Sequence, residues 1–175
     1  MTQNYNRMNL MVGRFNPLTI YHLDAIRKMP DHQTLIATTR SEGNNRNPLN
    51  AGDKWIFLDR ALTTYIRPTL VSIRCDDVLD AVLQCKTINL SREVVLYCGS
   101  DRAADYLRLN TYTEPEGIRV VDVVCIDRLD DHHSATYLRE LAVLGKKKEF
   151  KALCGYVGRD KDKAYHAIRS HYGCI

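Results

Sequence analysis

The chain predicts an α/β fold built on a parallel five-stranded sheet. Short apolar runs alternate with stretches of helical periodicity from one end to the other. One run, Glu93–Cys98 (EVVLYC), is apolar almost without a break, the pattern of a strand covered on both faces. Two runs end in a Gly-containing turn that leads into a helix, at Gly13 and at Gly99. Such turns belong side by side at the carboxyl ends of neighbouring strands.

The 175 residues suit one domain able to bury a full core. A formal net charge of +4 is mild. It suits anionic small molecules but does not by itself argue for nucleic-acid binding. The six cysteines, at 75, 85, 98, 125, 154 and 174, form no CxxC pair or zinc spacing. Cys98 and Cys125 lie in apolar runs and read as small core hydrophobes. No signal peptide or membrane-length apolar run is evident, so a reducing, cytoplasmic setting is expected.

Taken in order, residues 8–12 (MNLMV) lead as a buried strand into Gly13. Thr19 can cap a helix with apolar positions Ile20, Leu23, Ile26 and Met29, ending at Pro30. Thr19 and His22 are three apart and share a face of its opening turn. Residues 33–38 (QTLIAT) read as the second strand. The polar stretch 39–50 reads either as a flexible surface loop or as a lid or phosphate contact. A helix then carries Trp55, Ile56, Leu58, Leu62 and Tyr65, with Lys54 in its first turn. Residues 70–74 form the third strand, and Asp76 and Asp77 read as caps of the helix bearing Val78, Leu79, Val82 and Leu83. After the fourth strand, Gly99-Ser100-Asp101-Arg102 starts another helix, in which Asp101 either caps or holds a ribose or base. Residues 111–117 read as a polar connection and 118–126 as the fifth strand.

Next comes Asp130-Asp131-His132-His133, whose adjacent histidines are poorly placed to share a zinc ion. Ser134-Ala135-Thr136-Tyr137-Leu138-Arg139 then opens a helix whose apolar side is Leu138, Leu141, Ala142 and Val143. The basic remainder starts at Lys146, Lys147 and Lys148 and suggests two short helices packed on the sheet. A solvated helical tail is favoured there over a nucleic-acid arm. This divides the chain into a core, 1–145, and a helical extension, 146–175.

Three of these segments carry chemistry. A strand, a Gly-containing turn and a helix start present backbone N–H groups and a positive dipole end to a phosphate. Gly13-Arg14-Phe15-Asn16-Pro17 followed by Thr19-x-Tyr21-His22 resembles the opening motif of the nucleotidylyltransferase superfamily, a GRFxP-type turn and then (H/T)xGH. Tyr21 stands where that family has Gly, and either crowds the helix face or turns away to stack on a ring. Residues 47–54 (NPLNAGDK) resemble the NPFTAGER segment of archaeal-type nicotinamide mononucleotide adenylyltransferases and of small phage-encoded relatives, with Lys54 on the family's phosphate-contacting Arg. Ser134, Thr136 and Arg139 match the second signature of the superfamily, (I/V)S(G/S)TxIR, with Ala135 at its central position. By motif order the resemblance runs from residue 8 to 144.

The resemblance implies a Rossmann-like three-layer sandwich and nucleotidyl transfer from ATP or CTP, with Mg2+, to a phosphorylated small-molecule acceptor. Pyrophosphate leaves. His22, Thr19, Lys54 and Arg139 would be the catalytic set, with Gly13, Arg14, Phe15, Asn16, Gly99, Asp101, Ser134 and Thr136 binding nucleotide. Adenylylation of nicotinamide mononucleotide to NAD is the leading expectation. The alternatives are a cytidylyltransferase, an adenylyltransferase for a flavin or pantetheine precursor, and a non-catalytic nucleotide-binding or interaction module. No protein metal ligands, no membrane and no nucleic acid are expected, and homo-oligomerisation stays open.

Overall fold

Runs rich in Val, Ile and Leu become strands because such residues fit a pleated surface buried on both sides. The computed structural model describes residues 7–126 and 134–174. Its strands are β1 (Arg7–Gly13), β2 (Thr34–Thr39), β3 (Val71–Cys75), β4 (Glu93–Cys98) and β5 (Arg119–Cys125). They form one parallel sheet in the order β3-β2-β1-β4-β5. The order reverses between β1 and β4, so the Gly13 and Gly99 turns leave the same end of neighbouring strands. In open α/β sheets that crevice is where ligands bind.

The helices are α1 (Ile20–Arg27), α2 (Ala51–Tyr65), α3 (Val78–Asn89), α4 (Ala103–Leu107), α5 (Asn110–Thr113), α6 (Ala135–Val143), α7 (Lys147–Leu153) and α8 (Arg159–His171). Short polar side chains start several of them, since each accepts from an N–H that has no partner within the helix. Thr19, Asn50, Asp77 and Ser134 do this for α1, α2, α3 and α6. Asp76 instead pairs with Arg40 at 2.8 Å.

Two apolar layers sandwich the sheet. On one face, Met11, Ile36, Val95 and Tyr97 pack with Leu23 and Ile26 of α1, Phe57, Leu58, Ala61 and Leu62 of α2, and Leu138, Leu141 and Ala142 of α6. Phe150, Ala164, Tyr165 and Ile168 from the C-terminal helices belong to the same cluster. The C-terminal residues thus complete one side of the core, and Tyr156 among them is fully buried. On the other face, Leu10, Leu35, Leu96 and Val120 pack against Ala81, Val82 and Cys85 of α3, with Tyr106 and Leu109 beside them. This is the expected three-layer α/β arrangement.

Three local expectations change. Residues 111–117 are helical for the most part, because Asn110 grips Val120 through Nδ2 to its carbonyl (2.9 Å) and through Oδ1 from its N–H (2.7 Å). The 39–50 stretch is only partly a surface loop: residues 42–46 are exposed, whereas Asn47, Pro48 and Leu49 are buried, and Asn44 turns back on Asn47. Cys125 is exposed rather than in the core, because β5 is an edge strand, while Cys98 on β4 is buried. The paired histidines His132 and His133, with Asp130 and Asp131, lie outside the described residues. Among those described, no helix is long and apolar enough to cross a membrane.

Candidate functional site

The turn after β1 is held by its carbonyls. The Arg14 carbonyl accepts from Thr38 Oγ1 at 3.4 Å, that of Phe15 from Tyr156 Oη at 3.0 Å, and that of Asn16 from Arg139 Nη1 at 2.8 Å. Strand β2, the C-terminal segment and α6 thus each grip one of three consecutive residues. Phe15 has φ +45°, an uncommon value for a side chain this large. Its ring folds back over Gly13, where a Cβ would lie 2.7 Å from Cζ. The close approach that Gly13 permits is therefore that of the Phe15 ring.

Asn16 is buried at 1% exposure. Its Oδ1 accepts from the Leu49 N–H at 2.9 Å, and its Nδ2 donates to the Leu49 carbonyl at 3.2 Å. This reciprocal pair seats the 47–54 segment against the first turn, a role the sequence reading did not assign to Asn16. It also fixes where α2 begins, with Asn50 as its cap.

Thr19 and His22 form a reciprocal cap at the start of α1. The His22 N–H donates to Thr19 Oγ1 at 3.1 Å, and the Thr19 N–H donates to His22 Nδ1 at 3.0 Å. A main-chain N–H can only donate, so Nδ1 must present its lone pair. The neutral ring then carries its hydrogen on Nε2, which becomes the donor. The edge of the Phe15 ring meets His22 at a centroid distance of 5.1 Å and 86°. Thr19 itself is fully buried and His22 only half-buried. In this arrangement Thr19 positions the imidazole, and His22 is the member within reach of a ligand. Tyr21, also half-buried, lies beside it on the same turn.

Lys54 is fully buried, unlike the exposed first-turn lysine that an ordinary helix would show. Its Nζ donates to the Ser41 carbonyl at 3.1 Å. Burial lowers its pKa to about 8, and the nearby Arg14 guanidinium adds to that. A buried ammonium with one carbonyl partner keeps donor capacity for an anion. Arg14 is exposed beside the same turn.

From the second motif, Ser134 Oγ caps α6 by accepting the Tyr137 N–H at 3.2 Å. Arg139 is 9% exposed and donates through Nη2 to Thr136 Oγ1 at 3.0 Å. Burial lowers its pKa, and the Tyr172 hydroxyl beside it works against that. Tyr172 in turn donates to the Asn45 carbonyl. Three residues that sequence reasoning missed therefore bind the motifs together: Tyr156, Tyr172 and Gly155. The Gly155 N–H donates to the Leu18 carbonyl at 2.9 Å, just ahead of the Thr19 cap. Aromatic residues in a basic tail gave no signal of this.

Gly99 ends β4 next to β1, and Asp101 Oδ1 lies 2.7 Å from where a Gly99 Cβ would be. Neither short helix after this turn has a side-chain cap, so Asp101 is not a helix cap. Its side chain is 71% exposed and lies 3.9 Å from Arg102. The structure thus gathers Gly13, Arg14, Phe15, Asn16, Thr19, His22, Thr136 and Arg139 around one turn. Lys54 joins through the Asn16–Leu49 link, while Gly99 and Asp101 sit on the adjoining strand end.

No protein-family model matches the chain, and no curated protein matches it. Solved structures do. A candidate nicotinate-nucleotide adenylyltransferase from Vibrio parahaemolyticus superposes with a TM-score of 0.64 at 14% identity, over 91% of this chain and 98% of its own. A protein of unknown function from Archaeoglobus fulgidus superposes with a TM-score of 0.52 at 16% identity, over 69% of this chain and 89% of its own. At such identities the likeness is one of fold: this chain shares the parallel α/β fold of these two proteins.

Proposed function

We propose that this protein transfers an adenylyl group from ATP to a phosphorylated small molecule and releases pyrophosphate. Nicotinamide mononucleotide, or its nicotinate counterpart, is the acceptor to try first. The observation that carries the reading is the Arg139 contact to the Asn16 carbonyl, which joins two motifs 123 residues apart at the end of the sheet where such ligands bind. The Vibrio parahaemolyticus likeness supports the acceptor class only through what that protein is called.

The chemistry asks for position and charge more than for a strong base. An acceptor monoester is already largely dianionic near neutrality, its second pKa being about 6. One of its oxygens attacks the α-phosphorus, and the bond from that phosphorus to the bridging oxygen breaks. His22, with hydrogen on Nε2, would donate to the phosphate oxygens as charge builds there. Lys54 and Arg14 would neutralise the triphosphate from one side, and the α6 start with Ser134 and Thr136 would hold its departing part. Mg2+ supplies further charge neutralisation when bound. The described residues contain no group of three His, Cys, Asp or Glu side chains suited to it, so the ion fits best as a companion of the phosphates.

The engagement of Arg139 by Asn16 and Thr136, and the enclosure of Thr19, favour a second reading: a module that binds nucleotide without turning it over. One experiment tests both. Purified protein with Mg2+ is given ATP or CTP against nicotinamide mononucleotide, nicotinate mononucleotide, flavin mononucleotide, phosphopantetheine and phosphocholine, and pyrophosphate is measured. Release with ATP and a pyridine mononucleotide supports the proposal. Release only with CTP, or only with another acceptor, replaces its substrate. Nucleotide binding by calorimetry without release in any pairing favours the module.

A further inference from the structure

We propose that Cys98 and Cys125 form a reversible intramolecular disulfide when the protein meets hydrogen peroxide, a modification site at the carboxyl ends of β4 and β5. The two residues are register partners on adjacent parallel strands. Neighbouring strands lie about 4.8 Å apart, inside the Cα separation of about 4.4–6.8 Å that a disulfide spans. Both side chains leave the same face of the sheet. Two residues earlier, Leu96 and Val123 are also register partners and both belong to the α3-side core. A strand's period of two puts Cys98 and Cys125 on that side as well.

The pair is asymmetric in a useful way. Cys125 is exposed on the edge strand, whereas Cys98 is 8% exposed. Burial raises the Cys98 thiol pKa to about 11, and the adjacent Cys125 sulfur contributes next. Cys125 is thus the sulfur a peroxide reaches first. Its attack on the O–O bond gives a sulfenic acid and one water. Attack by Cys98 on that sulfur closes the disulfide and releases a second water, so two thiols and one peroxide become one disulfide and two waters. With Cys125 exposed, the bond is open to reductants, as a switchable one should be. Cys75, Cys85 and Cys154 are buried with thiol pKa values near 12, and none of them has a cysteine register partner.

The test reads the bond and no activity, so it is independent of the proposed function. The reduced full-length protein is treated with hydrogen peroxide, alkylated under denaturing conditions and digested without reduction. Peptide mapping should find Cys98 joined to Cys125, two hydrogens lighter than the separate thiols, and the link should vanish with dithiothreitol. In Cys98→Ser, which lacks the resolving thiol, Cys125 should accumulate as sulfinic acid. In Cys125→Ser, a change at an exposed position, Cys98 should stay alkylatable at the same peroxide dose. The proposal is overturned if wild-type Cys98 remains fully alkylatable while Cys125 is over-oxidised, or if Cys125 links instead to a second copy of the chain.

Discussion

The Thr19 main-chain N–H lies 3.0 Å from Nδ1 of His22, and this contact decides which ring nitrogen carries the hydrogen. It makes Nε2 the donor and aims it by the same cap that starts α1. Under the proposed reaction, His22→Ala lowers kcat by about ten- to a thousand-fold, with circular dichroism unchanged. Thr19→Val removes the hydroxyl but keeps the main-chain donor. It costs about 1 kcal/mol of stability as a lost cap, and lowers kcat less than His22→Ala. Equal loss of kcat in the two variants would show that Thr19 touches substrate itself.

Lys54 makes pH act in opposite directions on folding and on binding. Its pKa in the folded chain is about 8, against 10.5 for an ordinary lysine. Between those values the unfolded chain binds more protons, so stability rises with pH through that window, and the destabilisation is fully present below about 8. The same deprotonation removes a charge that an incoming triphosphate needs. We expect kcat/KM for ATP to fall as pH passes about 8, while the denaturation midpoint gains a contribution that grows with pH. Lys54→Met should lose the Lys54 part of both trends and bind ATP more weakly at pH 7. A Lys54→Met protein with the wild-type pH profile of kcat/KM would assign the effect elsewhere.

What the sequence made legible is mostly short-range. A cap is written within four residues, so Thr19, Asp77 and Ser134 could be read as helix starts. Strands show in their apolar runs, and β4 matches its run residue for residue. The rest depends on contacts that no local window contains. Asn16 is legible as a member of the first motif, but its reciprocal pairing with Leu49, 33 positions on, is not. Tyr156 and Arg139 reach back 141 and 123 residues to adjacent carbonyls. Lys54 is legible as a candidate phosphate contact from its segment, but its burial is not, because the Ser41 carbonyl that it meets lies 13 residues earlier. Cys125 reads as a core residue because the edge position of β5 follows from strand order, not from composition.

The Tyr156 hydroxyl is a fully buried donor serving the Phe15 carbonyl. Tyr156→Phe keeps the ring in the core and leaves that carbonyl without its donor. Stranding a buried polar group costs about 1–3 kcal/mol, to be read from urea denaturation. Because Phe15 abuts His22, kcat should fall along with stability. If stability fell by that amount and kcat did not change, the brace would be structural only.

Gly155 differs from Gly13 and Gly99 in what a side chain would meet: their nearest atoms are side chain, whereas its nearest is main chain. A Cβ there would lie 2.8 Å from the Thr19 carbonyl oxygen and 3.0 Å from the Leu18 side chain and the Thr19 carbonyl carbon. Two of those three atoms are main chain, so a rotamer change cannot relieve the overlap. Gly155→Ala must separate the C-terminal segment from the start of α1, straining the Gly155 N–H bond to Leu18 and the cap that orients His22. Overpacking of this kind costs about 1–3 kcal/mol, and here it falls on the residue that sets the imidazole. The expected result is a lower denaturation midpoint together with a kcat reduced towards that of His22→Ala. At Gly43, where a Cβ would meet nothing within 4 Å, alanine is strained only by φ +75° and lies outside the site. Gly43→Ala should therefore lose stability while keeping kcat, and equal kcat losses in the two variants would mean that the Gly155 contact does not position His22.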